Sequence, residues 1–410
     1  MKKILIVLDG AGDLPVKALG GKTPLEVANT SNLDYLAKNG KMGYMYPISE
    51  KVVPGSDNAL ITLFGNDPRK CRRGIYEAVG AGLSLSRGDL AIRTNFGTID
   101  DLKSKGVIDR RAGRNLTSDE ARELADVLNK KVKLGRKFEF KSTVQHRGVL
   151  VIRGGLSDNV SNIDNEWGGK DDGKFRYSRP LDESANSEYT ANLLNDFVDQ
   201  SFKILKNHNV NFKRAKKGLK VANMVFMRGI GSEIPKMKSY RSWMSINSMP
   251  LEIGIAKLSG MKVFSFELPK MKSRDIYGHL HRKLEMKIKF AIKTIKENHE
   301  DFIGCYLHFK ETDVPGHDNR PLDKKKMLEI IDKKFFGFLR KFVEKNPIKV
   351  VVTSDHSTPC ELKKHSSDPV PVLVYPGDDD CERFCEKEAK KGSLGKIYGK
   401  DFLKKTGLNG

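Results

Sequence analysis

Two short apolar runs from opposite ends of the chain each stop at an acid. Lys2-Lys3-Ile4-Leu5-Ile6-Val7-Leu8-Asp9-Gly10 opens the sequence, and Val350-Val351-Val352-Thr353-Ser354-Asp355-His356 lies near its end. Continuous apolar runs of this length read as parallel strands buried on both faces. Open α/β sheets place their ligand sites beyond the carboxyl ends of such strands. The two ends of the chain therefore converge on one site, and a long insertion separates the halves that build it.

More ligand types gather in the C-terminal third. Cys305-Tyr306-Leu307-His308-Phe309 closes another apolar run, followed by Asp313 and His317, and His365 lies just beyond Asp355-His356. A lone Asp at a strand end is ordinarily a turn or cap residue. Here the order and spacing favour ligation of divalent ions that accept mixed oxygen and imidazole donors. Asp9, Asp355 and His356 can hold one ion, and Asp313, His317 and His365 a second.

Val53-Pro54-Gly55-Ser56-Asp57-Asn58-Ala59 reads as a turn running into a short helix that ends near Gly65. Ser56 falls at or near the helix N-cap. Capping alone explains a serine there, but the same position favours an anion, and thus a serine alkoxide or phosphoserine.

The ordered set Asp9-Gly10, Pro54-Gly55-Ser56-Asp57, Asp313-x-x-Gly316-His317, Asp355-His356-Ser357-Thr358-Pro359 and His365-x-x-Asp368-Pro369-Val370-Pro371 resembles the alkaline phosphatase superfamily. Within it, Gly65-Asn66-Asp67-Pro68, Asp109-Arg110-Arg111-Ala112-Gly113-Arg114 and Arg228-Gly229-Ile230-Gly231 resemble the archaeal-type, cofactor-independent phosphoglycerate mutases. The resemblance implies interconversion of 3-phosphoglycerate and 2-phosphoglycerate, in glycolysis and gluconeogenesis, through phosphoserine at Ser56. It also implies two divalent ions, Mn²⁺ first with Mg²⁺, Zn²⁺ or Co²⁺ as alternatives, and no need for 2,3-bisphosphoglycerate. Ser56 joins Asp9, Asp355 and His356 in that ligand set. Arg111 and Arg114 are the expected substrate contacts, supported by Arg110, Arg228, His146 and Lys238. Asp158 and Asp164 are candidates for acid–base work on the glycerate hydroxyls.

Some positions depart from that pattern. Asn162-Ile163-Asp164-Asn165 keeps one of two expected acids, Arg72 stands where a glycine is expected, and Ser242 falls where a second lysine is expected. The departures fall in the substrate half. A metal-dependent phosphomonoesterase or related phosphotransferase on the same scaffold is therefore the alternative.

With 410 residues, two domains are expected. The pattern gives an α/β metal-binding domain from 1–75 and 245–410, with a mainly parallel, helix-covered sheet, and an α+β substrate-binding insertion at 76–244. Helices are expected over 24–38, 118–129, 183–206, 277–297, 323–344 and 379–390. Strands are expected over 43–48, 89–99, 143–153, 262–266, 303–309, 349–354 and 371–375. Ser118 reads as a helix cap, and Asp171-Asp172-Gly173-Lys174 as a flexible loop.

Lysine and arginine total 74 against 52 acids, a net charge of +22. That excess suits a nucleic-acid binder, but no recognised nucleic-acid motif underlies it. Lys324-Lys325-Lys326 and Lys287-Ile288-Lys289 read as solvated helix faces, and a basic surface also attracts a small phosphate ester. No specific nucleic-acid partner and no membrane are expected; a homo-oligomer is left open. Met1-Lys2-Lys3-Ile4 resembles an export signal, but the run ends at Asp9 without a cleavage site, so a cytoplasmic protein is expected. Cys71, Cys305, Cys360, Cys381 and Cys385 have no metal or disulfide spacing and are expected to be reduced. Cys381 and Cys385 fall on a helix-like stretch that reads as solvated.

Overall fold

The computed structural model describes residues 1–164, 172–267 and 275–409. The chain begins with β1 (Lys3–Leu8), α1 (Pro24–Val27), α2 (Ser31–Lys38), β2 (Lys41–Tyr46), α3 (Ser56–Leu63) and α4 (Arg73–Gly80). The insertion follows as β3 (Leu90–Ile99), β4 (Val107–Asp109), α5 (Ser118–Lys131), β5 (Phe138–Ser142), β6 (Arg147–Ile152), α6 (Ala185–Lys206), α7 (Asn209–Lys216) and β7 (Met224–Gly231). The chain then returns through β8 (Trp243–Ile246), α8 (Pro250–Leu258), β9 (Lys262–Phe264), α9 (Ile276–Asn298), β10 (Gly304–Phe309) and α10 (Asp313–His317). It closes with α11 (Pro321–Ile331), α12 (Gly337–Lys345), β11 (Lys349–Thr353), β12 (Val370–Tyr375), α13 (Glu386–Ala389), β13 (Gly395–Tyr398) and α14 (Phe402–Thr406).

Eight strands form one sheet in the order β13-β2-β12-β11-β1-β10-β8-β9. The run from β11 to β9 is parallel, and β12 is antiparallel to both its neighbours. The expected α/β architecture is therefore present. The insertion carries its own antiparallel sheet, with β4, β6 and β7 paired to β3 and β5 paired to β6.

Side chains alternate across a strand, and this parity builds the site. Ile4, Ile6, Leu8, Leu307, Phe309, Val350 and Val352 pack into one core layer. Leu5, Val7, Tyr306 and Val351 pack into the layer on the opposite face, together with Leu60 and Phe64 of α3. By the same alternation, His308 falls on the α3 face, and Asp9 and Asp355 follow their strands in that phase. The insertion is rooted by a backbone-to-backbone crossing of α4 and α8. A Cβ on Gly80 would lie 1.8 Å from Pro250 O, and one on Gly254 would lie 1.8 Å from Tyr76 O.

Several boundaries differ from expectation. The 24–38 helix is interrupted at 28–30, because Ala28 is extended and Thr30 restarts the chain as the N-cap of α2. The strand expected over 43–48 begins at Lys41, and that over 143–153 begins at Arg147. Thr117, not Ser118, caps α5, with Glu120 completing a capping box. The helix through 323–344 contains a π turn over Asp332–Phe336. Only Glu386–Ala389 is helical within 379–390, and Cys381 and Cys385 are buried. Lys324 and Lys287 are buried as well, so neither lies on a solvated face. Asn165 and Asp171 lie outside the described residues.

Candidate active site

Asp9 follows β1, and Asp355-His356 follow β11, so both arrive at the carboxyl edge of the sheet. Asp355 Oδ1 is fixed by two backbone donors, Gly10 N–H (3.1 Å) and His356 N–H (3.1 Å). That leaves Oδ2, in a fully buried position, without a hydrogen-bond partner among the described residues. His356 Nε2 lies 3.3 Å from Asp9 Oδ1, 3.3 Å from Asp355 Oδ2 and 3.2 Å from Ser56 Oγ. Its orientation follows from bonding on the other side of the ring. Thr358 Oγ1 spends its proton on Asp313 Oδ1 (2.7 Å), so it accepts from His356 Nδ1–H at 3.0 Å. Nε2 is thereby turned toward the acids.

The second group repeats the device. His317 Nδ1–H donates to Lys363 O (3.0 Å) and His365 Nδ1–H to Pro54 O (2.9 Å). Their Nε2 atoms lie 3.5 Å and 3.7 Å from the two oxygens of Asp313. Asp313, His317 and His365 form one cluster of ligand-type atoms, and Asp9, Asp313 and His356 form an adjoining one. The rings of His356 and His365 stack at 3.6 Å, so the two groups are contiguous.

The electrostatics match a missing positive charge. Burial, followed by Asp9 beside it, pushes Asp355 up to about 7. Burial opposes a charged His356, yet Asp355 and Asp9 outweigh it and lift that ring to about 9. Burial and then His356 press His365 down to about 4. Divalent cations suit this set: oxygen and imidazole donors, buried oxygens of Asp9 and Asp355 without a hydrogen-bond partner among the described residues, and rings oriented by their other nitrogens.

Ser56 is the first residue of α3, with Gly55 at the N-cap, so it does not cap the helix and its hydroxyl faces the ligands. Lys310 Nζ lies 3.5 Å from Ser56 Oγ, ion-pairs with Asp9 and lies 3.2 Å from Glu252 Oε1.

The insertion contributes guanidinium groups. Arg110 Nε lies 3.0 Å from Asp164 Oδ1 and Arg228 Nε 3.2 Å from Asp164 Oδ2, so Asp164 fastens two of the expected arginines. Arg73 and Arg93 lie 2.6 Å and 3.2 Å from Glu77 Oε1. Burial works against an ionised Glu77, yet Arg73 and Arg93 hold it below the ordinary carboxylate range. Burial, then Arg147, Arg111, Arg93 and Arg114, hold His146 well below the ordinary imidazole range and therefore neutral. The 111–114 turn puts Ala112, Gly113 and Arg114 at φ 46°, 72° and 55°. For the non-glycine residues this costs about 1–3 kcal/mol each. Buried Arg214 holds the turn there, donating to Ala112 O (3.1 Å) and Asn115 Oδ1 (2.6 Å). Arg114 Nη1 reaches Asp318 Oδ1 at 2.6 Å, beside His317, which joins the insertion to the ligand cluster.

Other expected residues stand apart. Asp158 Oδ2 accepts from Ser232 N–H (3.1 Å) and lies 3.9 Å from Arg72. Lys238 is exposed, with its ammonium 3.4 Å from Asn409 Oδ1, away from the side chains gathered around Ser56. Sequence reasoning missed Lys310, Glu252, Arg73 and Glu77, and left His308 out of both ligand sets. His308 carried a usable signal, its parity with Tyr306 in a strand beside β1.

Comparison with known proteins identifies the family. Residues 37–211 match the family described as 2,3-bisphosphoglycerate-independent phosphoglycerate mutase. The mutase of that name from Pyrococcus abyssi is 40% identical over 415 residues, spanning 98% of this chain and 96% of its own. That from Methanosphaera stadtmanae is 38% identical, spanning 98% and 96%. A solved Pyrococcus horikoshii protein superposes with a TM-score of 0.76 at 31% identity, covering 100% of this chain and 98% of that one. The cofactor-independent phosphoglycerate mutase of Thermoplasma acidophilum superposes at 0.57 with 29% identity, covering 98% of each. On its sequence, its fold and the arrangement around Ser56, this chain belongs to the 2,3-bisphosphoglycerate-independent phosphoglycerate mutase family.

Proposed function

We propose that this chain interconverts 3-phosphoglycerate and 2-phosphoglycerate with Ser56 as the phosphoryl carrier, and without 2,3-bisphosphoglycerate. The observation that carries this is the juxtaposition of Ser56 Oγ, two acid–histidine clusters and a guanidinium group with few carboxylates of its own. A hydrolase needs only the first two. A substrate with both a phosphate and a carboxylate needs the third.

Residues 1–75 and 245–410 form the metal-binding half and 76–244 the substrate half in this reading. Asp9, Ser56, Asp355 and His356 would hold one divalent ion, and Asp313, His317 and His365 the other, with Mn²⁺ as the first choice. When bound, these ions neutralise charge on the transferring phosphoryl group. Ser56 Oγ gives up its proton and attacks phosphorus, and the P–O bond to the glycerate oxygen breaks as that oxygen takes a proton. Lys310, at 3.5 Å from Ser56 Oγ, is placed to receive a phosphoryl oxygen. Arg111 and Arg114 hold the carboxylate end, while Asp164 keeps Arg110 and Arg228 aimed. Glycerate turns in place, and its other hydroxyl loses a proton and attacks the phosphoserine, releasing Ser56. Water must be excluded during this interval, and the Arg114–Asp318 contact is a closure of that kind.

Phosphorus NMR tests the reading, using purified protein, Mn²⁺ and 3-phosphoglycerate with no bisphosphoglycerate. Formation of 2-phosphoglycerate without free phosphate is expected. Free phosphate alone would make the chain a phosphomonoesterase and remove the role given to the arginines.

A further inference from the structure

We propose that His308 is a further ligand of the divalent ion held between Asp9 and Asp355, oriented for that role by Glu252 behind it. The inference rests on the two-ion reading above and adds a second imidazole to one of its positions.

His308 lies on the α3 face of β10, fully buried, with register partner Val7 two residues before Asp9. Its Nε2 has no hydrogen-bond partner among the described residues. That atom lies 3.5 Å from Asp9 Oδ2 and 3.9 Å from Asp355 Oδ2. Divalent ions hold nitrogen and oxygen donors at about 2.0–2.2 Å, so donors sharing one ion stand roughly 3–4 Å apart. The three side chains form a cluster of ligand-type atoms in their own right. Asp355 Oδ2, the oxygen left over by the backbone donors, is shared with His356. His356 and His308 therefore approach one pair of carboxylates from two sides.

The far side of the ring supports the same role. His308 Nδ1 lies 3.2 Å from Tyr306 Oη and 3.5 Å from Glu252 Oε1. A carboxylate facing Nδ1 favours the tautomer with hydrogen on that atom and leaves the lone pair on Nε2. His317, His365 and His356 are tied back through Nδ1 in the same way. The backbone of His308 is also fixed: its N–H donates to Asn247 Oδ1 (3.2 Å), and its carbonyl accepts from the buried ammonium of Lys287. Lys310 competes for Asp9 Oδ2, and Glu252 offers its ammonium a second acceptor away from the ion. Two imidazoles and two carboxylates shift preference from Mg²⁺ toward Zn²⁺, Co²⁺ or Mn²⁺.

The rival role is a hydrogen bond from His308 Nε2–H to Asp9. Cadmium NMR separates the two. The full chain, with isotope-labelled histidine nitrogen and cadmium as the sole metal, reports the imidazoles on each ion through direct couplings. Two resonances are expected, each split by two histidine nitrogens. His308→Asn should leave one of them split by a single nitrogen, and weaken cadmium binding there tenfold or more, with the other unchanged. A wild-type resonance split by one nitrogen overturns the proposal and leaves the two-ion reading standing. Binding of fewer than two cadmium ions overturns both. The wild-type count decides the matter even where the variant fails to fold.

Discussion

Replacing Lys324 by methionine should destabilise the fold by about 3–5 kcal/mol, the range for breaking a buried ion pair by removing one partner. Its ammonium is fully buried and donates to Asp13 Oδ2 (2.7 Å), Gly12 O (3.0 Å) and Thr358 O (3.0 Å), which uses all three N–H groups. Methionine fills the volume but supplies no donor. Gly12 O keeps Thr358 N–H (3.0 Å), so the loss there is small. Asp13 Oδ1 keeps Leu14 N–H and Cys360 N–H, but Oδ2 loses the ammonium that it accepts from. Most of the penalty is therefore a buried carboxylate half of which has lost its cation.

The same ammonium ties the loop after Asp9 to the loop after His356, so divalent-ion affinity should fall along with stability. Urea unfolding by circular dichroism gives the first quantity, and calorimetric titration with Mn²⁺ gives the second. The Asp13→Asn, Lys324→Met double variant should recover part of the loss, because no charge is then left alone. A loss below about 1 kcal/mol, the value of an exposed ion pair, would refute the reasoning.

Four further outcomes are expected. Ser56→Ala should abolish turnover with unfolding unchanged; turnover measured by phosphorus NMR in that variant would remove Ser56 as the carrier. Arg114→Ala removes a charge-assisted contact of about 1.5–3 kcal/mol, so kcat/KM should fall roughly ten- to hundredfold, and an unchanged value would exclude Arg114 from substrate binding. Chelation should stop turnover and lower Tm, since an ion present at a thousand times its Kd adds about 4 kcal/mol; a Tm indifferent to chelator would argue against the ion sites. Burial pushes Glu386, which accepts from Asp13 N–H (2.9 Å) and Thr23 Oγ1–H (2.7 Å), up to about 7 from 4.5. The folded state thus holds that proton more tightly than the unfolded state. Its contribution is fully present below pH 4.5 and is lost as pH rises to about 7, by up to about 3 kcal/mol. Urea unfolding of Glu386→Gln across this window should show a flatter pH profile.

The legible parts of the site were those where composition and position agree. Asp9 and Asp355 end apolar strands, and parity then fixes the face they share. Ser56 follows a Pro-Gly turn into a helix, which places it at the helix start within one residue. Lysine is less legible, because lysines that run together read as a solvated face. The spacing pointed the other way. Lys324, Met327, Leu328 and Ile331 recur at one helix face and are all buried. Lys287 likewise falls in phase with Leu284, Ile288 and Ala291. Lys324 supplies its cation to the carbonyls of Gly12 and Thr358 in two loops of the site, and Lys287 to the carbonyl of His308 in β10. The 28–30 break and the short α13 were illegible for another reason. They depend on distant contacts, such as Arg383 donating to Glu26 O and Ala28 O, that no local window contains.

The two halves of the site carry opposite electrostatic deficits. At the sheet edge Asp9, Asp355 and Asp313 crowd together, and their nearest positive groups are Lys310 and imidazoles, two of which burial presses toward neutrality. Across from them, Arg73, Arg93, Arg111, Arg114, Arg147 and Arg228 act on one another and on His146, with Glu77 and Asp164 as the buried carboxylates among them. Burial makes both deficits costly. The Arg114–Asp318 ion pair crosses between the halves beside the ligand-type side chains and not on them, so it leaves both deficits in place. Divalent cations on one side and a doubly anionic ester on the other cancel both deficits together. The charge distribution thus selects a phosphorylated carboxylic acid over a neutral ester, and ties substrate affinity to metal occupancy.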